Sequence, residues 1–286
     1  MQSIKPHPKN ILIFERFQIP YRIFGKGEDI ICLNGVQQSM AMWLSFVKRF
    51  GHCYRITLFD FPHQGKAKIN SGLHSVSFDE QVRILHAIIK ESGIKSADIC
   101  TASWGGVVAL AFALRFPQHV KRLLLASIGI KPNTCMKDVI LKGTAMNKHD
   151  RQAMADLLIN SFGDNLPQAL KNQIIAQFQS MSEERIRAFS EHGMSVIFNE
   201  SLDKVIPLSE VTKPVVILYG GKDKIIDYKD VKSMAKQMPN CAIKVIPNVG
   251  HFLHLESEKV FDTYEEILFP GNVPAHQKSR HVAPIL

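Results

Sequence analysis

Short, mostly apolar runs alternate with amphipathic segments along most of the chain, and this alternation predicts strands separated by helices. Continuous apolar runs such as Asp29–Leu33 and Tyr54–Phe59 are typical of strands whose sheet is covered on both faces. Val82, Leu85 and Ile88 recur at helical spacing and predict a helix after the second of these strands. Further strands are predicted at 96–100, 120–126, 214–219 and 242–246, and a hairpin at 11–24. This order indicates an α/β fold, a largely parallel sheet with helices on both sides.

The alternation stops after Ser127 and resumes only at Pro214. The segment between them is longer than a crossover connection and has no convincing strand, but it contains helical stretches such as Gln152–Ile159 and Ser182–Ser190. We interpret it as a helical cap inserted into the sheet domain. The last helix is expected from about Glu256 to Phe269. We expect the core in two parts, at 10–130 and 210–270, with the cap between them at 131–209. The tail at 271–286 is expected to be poorly ordered.

The composition is that of a folded protein with a sizeable core. The chain has 286 residues, of which 45% are hydrophobic, enough for one large α/β domain with an insertion or for two small domains. No stretch approaches the roughly 20 apolar residues that a membrane-spanning helix needs. The first residues lack the basic-then-apolar order of a secretory signal, so a cytoplasmic location is expected.

The five cysteines are scattered without a Cys-x-x-Cys pair, which argues against both a disulfide framework and a zinc site. Cys32 and Cys100 fall inside predicted strands and are expected to be buried apolar residues. The sequence pattern indicates neither a metal nor another cofactor.

The net charge of +9 bears on the binding partners. Lysines are concentrated in two regions, around residues 131–151 and 213–244. No nucleic-acid recognition motif accompanies them, so nucleic acid is not the expected partner. An acidic protein partner, a phosphate-bearing substrate and plain solvated lysine faces remain open.

A serine lies at the junction of a predicted strand and a predicted helix, in the string Ala102-Ser103-Trp104-Gly105-Gly106. Its surroundings match small-x-Ser-x-Gly, the nucleophile elbow, in which a sharp turn presents the serine hydroxyl. Small neighbours let the strand and the helix approach closely, although Thr101 occupies a position that usually holds glycine. Ser103 is therefore the candidate nucleophile.

A serine nucleophile needs a base and an acid that orients the base, and in this architecture they follow the serine in the order acid, then histidine. Asp223 follows the predicted strand that ends at Tyr219, and His251 follows the last predicted strand. Both positions lie at the carboxyl edge of the sheet. Asp227, the nearest competitor for the acid, is better explained as the N-cap of the next helix.

Backbone N–H groups must also stabilise the oxyanion of an acyl-transfer reaction. Trp104, the residue after the nucleophile, is expected to provide one donor at a helix N-terminus. The loop after the strand Asp29–Leu33 is expected to provide the second, from Val36. In this loop Gly35 allows the backbone to turn toward the serine, and Asn34 offers polar support. We assign both residues to the substrate-binding loop.

Several of these strings together resemble one branch of the α/β-hydrolase fold, the acyltransferases that process 3-hydroxyacyl chains. The resemblance covers most of residues 10–265 and rests on the elbow and on four further strings: Leu33-Asn34-Gly35, Leu58-Phe59-Asp60-Phe61-Pro62, Phe162-Gly163-Asp164-Asn165-Leu166-Pro167 and Gly250-His251-Phe252-Leu253. It implies a mostly parallel eight-stranded sheet with an inserted helical cap. It also implies that Ser103, His251 and Asp223 act on the thioester of a 3-hydroxyacyl group carried by acyl carrier protein (ACP) or CoA.

The branch contains two close families, which differ in the acyl acceptor. One joins two 3-hydroxyacyl chains into 3-(3-hydroxyalkanoyloxy)alkanoate, the precursor of rhamnolipid biosurfactants, and this is the function we expect. The other is the 3-hydroxyacyl-ACP thioesterase/transacylase of polyhydroxyalkanoate synthesis. A general esterase of the same fold and a ligand-binding protein without catalysis are the remaining alternatives. For the two close families, the basic surface would fit an acidic ACP, and we hypothesise this carrier as a partner.

Overall fold

A mixed β-sheet runs through the computed structural model, which describes residues 10–70, 75–199 and 201–270. Its strands are β1 Asn10–Phe14, β2 Phe17–Phe24, β3 Glu28–Leu33, β4 Tyr54–Phe59, β5 Lys68–Ile69, β6 Ala97–Ala102, β7 Val120–Ala126, β8 Val215–Gly220 and β9 Cys241–Ile246. They follow the spatial order β1-β2-β4-β3-β6-β7-β8-β9, and β5 pairs with β2 beside this path. The neighbouring pairs from β4 to β9 in this order are parallel, whereas β1, β4 and β5 each pair with β2 in the antiparallel direction.

Helices cover both faces of the sheet, because alternate residues of its central strands point to opposite sides. The α-helices of the core are α1 Leu44–Phe50, α2 Phe78–Glu91, α3 Trp104–Arg115, α8 Tyr228–Gln237, α9 Leu253–Glu256 and α10 Lys259–Leu268. Ile31 and Leu33 of β3 pack in one apolar cluster with α2, α3 and α8, whereas Ile30 and Cys32 pack in a second cluster with α1 and α10. The predicted α/β class, with a largely parallel sheet buried on both faces, is confirmed.

Between β7 and β8, where the sequence predicts a helical cap, the described residues form four α-helices and two short 3₁₀ helices. They have a small apolar cluster of their own, in which Met154, Phe178 and Ile186 are buried. The cap helices are α4 Thr134–Ala145, α5 Arg151–Phe162, α6 Gln168–Ser180 and α7 Glu183–Phe198. None of the helices in the described ranges has the length and apolarity to cross a membrane.

Two details of the fold differ from the sequence predictions. Across the described residues the sheet has nine strands rather than the expected eight, since the two residues of β5 pair with β2. The last helix, expected from about Glu256 to Phe269, is present as α10 but starts only at Lys259, because α9 ends at Glu256 and Ser257 between them is extended with φ −155°. The Glu256 carboxylate accepts hydrogen bonds from two backbone N–H groups of the preceding loop, which fixes this short helix against the loop. The predicted tail 271–286 lies outside the described residues.

Candidate active site

Ser103 occupies a strained turn between β6 and α3. Its φ of 46° and ψ of −118° lie in a region that residues with a side chain rarely adopt. Hydrogen bonds hold the turn on both sides, from Ser103 N–H to Ala126 O at 2.8 Å and from Gly106 N–H to Ser103 O at 2.9 Å. Gly105 is required for the close approach of β3, because a Cβ at this position would lie 2.8 Å from the backbone oxygens of Leu33 and Asn34. The local sequence thus builds the elbow that it predicts.

The structure brings Ser103, His251 and Asp223 together from three loops at the carboxyl edge of the sheet. His251 Nε2 lies 3.3 Å from Ser103 Oγ, and His251 Nδ1 lies 2.8 Å from Asp223 Oδ2. The side chain of Asp223 is fully buried and that of His251 is 7% exposed. The other carboxylate oxygen of Asp223 accepts hydrogen bonds from the backbone N–H groups of Ile225 and Ile226. One oxygen of the acid therefore remains directed at the imidazole.

Asp227 lies away from this chain of hydrogen bonds. Its side chain accepts a hydrogen bond from Asn133 Nδ2 at 2.9 Å and forms an ion pair with Lys229 at 3.3 Å. It occupies the N-cap position of α8, as expected, but its side chain makes no capping hydrogen bond. These partners lower the pKa of the Asp227 carboxyl, the hydrogen bond from Asn133 most strongly.

The expected oxyanion loop lies beside the serine, and Val36 and Trp104 both line the same cavity as Ser103. Two glutamine side chains hold the peptide groups of Gly35: its N–H donates to Gln38 Oε1 at 2.7 Å, and its carbonyl accepts from Gln64 Nε2 at 2.8 Å. The loop is thus fixed by side chains rather than by a sheet.

Asn34 is a correction to the sequence analysis, which assigned it to substrate binding. Its side chain is fully buried and its amide makes hydrogen bonds within the protein, donating to Phe59 O and Gln64 Oε1 and accepting from Trp43 Nε1. A buried amide with its partners in place has no polar atom left for a ligand. Asn34 supports the loop, and Gly35 is the residue of this pair that lines the cavity.

A cavity of about 710 Å³ opens at Ser103 between the core and the cap. Helices α4, α5 and α7 of the cap form one wall, with Val139, Leu157 and Leu158 among the lining residues. Phe78 and Val107 line the opposite wall from the core. A mostly apolar cavity of this volume suits a ligand with a long apolar part.

His192 of α7 is a cavity residue that the sequence analysis missed. Its ring packs edge-to-face against Trp104 with centroids 4.2 Å apart, and its Nε2 is buried without a hydrogen-bond partner. Burial lowers the pKa of His192 to about 4, so the ring is neutral at pH 7. A histidine in a helix has no distinctive neighbours in sequence, and only the packing of the cap on the core reveals its position.

Comparison with known proteins agrees with the fold. A family model described as alpha/beta hydrolase fold matches residues 30–258. The chain belongs to this family and is an enzyme of the α/β-hydrolase fold, as the resemblance implied.

Among its relatives, the chain is 22% identical to the (R)-3-hydroxydecanoyl-ACP:CoA transacylase of Ectopseudomonas oleovorans, over 91% of this chain and 88% of that protein. It is 23% identical to a 2-hydroxy-6-oxononadienedioate/2-hydroxy-6-oxononatrienedioate hydrolase of Cupriavidus pinatubonensis, over 86% of this chain and 88% of that protein. The crystal structure of MGS-M2, an alpha/beta hydrolase enzyme from a deep-sea metagenome library of the Medee basin, superimposes with a TM-score of 0.77 and 21% identity. That match covers 94% of this chain and all of the other.

Proposed function

We propose that this protein transfers a 3-hydroxyacyl group from a thioester to an acceptor through an acyl-enzyme on Ser103. The observation that carries the proposal is the chain of contacts from Ser103 Oγ through His251 to Asp223, at 3.3 Å and 2.8 Å, beside a mostly apolar cavity that Ser103 and His251 line. The substrate class is supported by the name of the transacylase relatives and by the sequence strings shared with that branch.

The first half of the reaction follows from the geometry of the three side chains. Ser103 Oγ attacks the thioester carbonyl carbon while His251 Nε2 accepts the hydroxyl proton, and Asp223 stabilises the resulting imidazolium. The N–H groups of Val36 and Trp104 stabilise the oxyanion of the tetrahedral intermediate. The C–S bond then breaks, and His251 returns the proton to the thiol that leaves. The product is an ester between Ser103 and the 3-hydroxyacyl group.

The acceptor determines the product of the second half of the reaction. The thiol of CoA is the acceptor named for the relatives, and its attack would regenerate a thioester. The 3-hydroxyl of a second acyl chain, which the sequence analysis favours, would give the dimeric ester, and the same apolar cavity offers contacts to a second chain. Of the two acceptors, we favour the CoA thiol. As donor we favour an acidic acyl carrier protein, because the net charge of +9 is complementary to it.

A product assay tests this proposal. The purified protein is incubated with 3-hydroxydecanoyl-ACP, with and without CoA, and the products are identified by mass spectrometry, with the Ser103→Ala variant as control. We expect 3-hydroxydecanoyl-CoA when CoA is present and no product from the variant. A dimeric ester formed in both samples would establish the second acceptor. Release of free acid alone under both conditions would contradict acyl transfer.

A further inference from the structure

Two loops beside Ser103 are held by hydrogen bonds from the cap. Gln177 of α6 donates from Nε2 to the carbonyl oxygen of Gln37 at 2.6 Å. Arg185 of α7 donates from Nη2 to the carbonyl oxygen of His63, also at 2.6 Å. Both carbonyls belong to residues with positive φ, 58° at Gln37 and 67° at His63. Each cap side chain therefore holds a core residue in the left-handed region, which residues with a Cβ rarely adopt.

Gln37 directly follows Val36, the expected oxyanion donor. Residues 35–38 form a four-residue turn, which is closed by a hydrogen bond from Gln38 N–H to Gly35 O at 3.3 Å. The start of this turn is fixed within the core, through the contacts of Gly35 with Gln38 and Gln64. The far side of the turn is held at Gln37 O by the cap. The Gly35 carbonyl and the Val36 N–H belong to one planar peptide group, so the hydrogen bond from Gln64 to Gly35 O orients this N–H from the core, and the hydrogen bond from Gln177 to Gln37 O fixes the same turn at its other end.

We propose that Gln177 is a positioning residue through which the cap sets the geometry of the oxyanion loop. This inference rests on the proposed function, because it takes Val36 as an oxyanion donor for a reaction at Ser103. Gln177 reaches the reaction only through Gln37, so its loss should weaken stabilisation of the transition state rather than binding of the ground state. The cap thus contributes to the chemical step as well as to the cavity wall.

The contact is not needed to hold the cap together. The apolar cluster of the cap is formed by other residues, with Phe178 and Ile186 buried at its centre, whereas Gln177 is half-buried at the boundary with the core. Gln179, two residues further along α6, offers a matched control. It is exposed and donates to Gln152 Oε1 at 3.2 Å, a glutamine hydrogen bond inside the cap. Replacing it removes a similar bond without affecting the oxyanion loop.

The test compares Gln177→Met with Gln179→Ala in the full-length protein. Methionine keeps the length of the side chain but cannot donate a hydrogen bond. Hydrolysis of p-nitrophenyl butyrate gives kcat and KM, and titration with a fluorophosphonate gives the concentration of reactive Ser103, to which kcat is normalised. We expect kcat to fall roughly 10- to 100-fold in Gln177→Met with KM within about threefold, as a misplaced catalytic group would cause. Gln179→Ala should keep the kcat of the unmodified protein.

Three results would overturn the inference: an unchanged kcat in Gln177→Met, an equal loss in Gln179→Ala, or a loss confined to KM. If Gln177→Met did not fold, Gln177→Glu, which also lacks a donor and keeps a polar group at this half-buried position, would be judged by the same three criteria. Failure of the proposed function has a different signature. In that case the unmodified protein would resist the fluorophosphonate, or Ser103→Ala would keep its esterase activity, whatever the behaviour of the Gln177 variants.

Discussion

Asp223 uses its two carboxylate oxygens for different tasks. Oδ1 accepts from the backbone N–H groups of Ile225 and Ile226 at 3.0 and 3.1 Å, and Oδ2 faces His251 Nδ1 at 2.8 Å. The backbone contacts would also fix the orientation of an asparagine at this position, with its oxygen toward the two N–H groups and its NH₂ toward the imidazole. An NH₂ donating to Nδ1 would leave the histidine proton on Nε2, the atom that must accept the proton of Ser103.

We therefore expect Asp223→Asn to fold normally and to lose roughly 10³- to 10⁴-fold in kcat. Asp227→Asn is the matched control, since Asp227 contacts Asn133 and Lys229 instead of His251. The Asp227→Asn variant should have a kcat within about twofold of that of the unmodified protein. The measurement is steady-state hydrolysis of an activated ester at pH 7.5. An Asp223→Asn variant with unimpaired turnover would show that this acid does not orient the base.

Gly105 allows β3 and α3 to approach each other at the elbow. A Cβ at this position would lie 2.8 Å from two backbone oxygens, so Gly105→Ala should destabilise the fold by about 1–3 kcal/mol. Gly143 of α4 is the control, because a Cβ there would meet only Leu157 Cδ2 at 3.6 Å, an ordinary contact. Gly143→Ala should stabilise by about 0.5–1 kcal/mol, since alanine favours a helix. Urea unfolding measures both, and a Gly105→Ala variant of undiminished stability would refute the packing argument.

At the scale of elements, His254 joins the two short C-terminal helices to the core. Its Nε2 is 2.7 Å from the Tyr264 hydroxyl of α10, and its ring centroid is 4.4 Å from that of Trp43. Complete burial lowers the pKa of His254 to about 3, so the folded protein binds a proton here far less readily than the unfolded chain.

The stability of the protein should therefore depend on pH through His254. Between the unfolded pKa of about 6.5 and the folded pKa of about 3, only the unfolded state binds the proton, so the free energy of unfolding falls as the pH decreases through this window. The slope is about 1.4 kcal/mol per pH unit for one such group. Urea unfolding at pH 6.5, 5.5 and 4.5 gives the free energy of unfolding at each pH. Its change per pH unit should be smaller by about this amount in His254→Gln than in the unmodified protein. Equal slopes in both proteins would contradict the assignment.

The sheet could be predicted from the sequence because it is buried on both faces. That burial makes strands such as Tyr54–Phe59 continuous apolar runs, and the loops after them carry the elbow, the acid and the histidine. Contacts between distant segments could not be predicted in the same way. The fixation of Gln37 by Gln177 and the position of His192 beside Trp104 depend on how the cap packs on the core. Asn34 was assigned to substrate binding because the sequence does not show that its side chain is buried among partners from other segments.

For the whole molecule, the core and the cap supply different parts of one site. The core holds Ser103, His251 and Asp223 on loops at one sheet edge, whereas the cap closes an apolar cavity over them and contacts the oxyanion loop. Ser103 and the apolar cavity therefore meet at the boundary between the two, where our proposal places the acyl chain. Under the proposed function, the cavity would govern which acyl group and which acceptor reach the serine.

The central claim is that Ser103 carries the acyl group between donor and acceptor. Intact-protein mass spectrometry after rapid acid quench of the protein mixed with 3-hydroxydecanoyl-ACP tests it most directly. We predict a mass increase equal to one 3-hydroxydecanoyl group, located on the peptide that contains Ser103, which disappears when CoA is added and never forms in Ser103→Ala. Turnover of the thioester by Ser103→Ala, or an acyl group attached to another residue, would contradict the account.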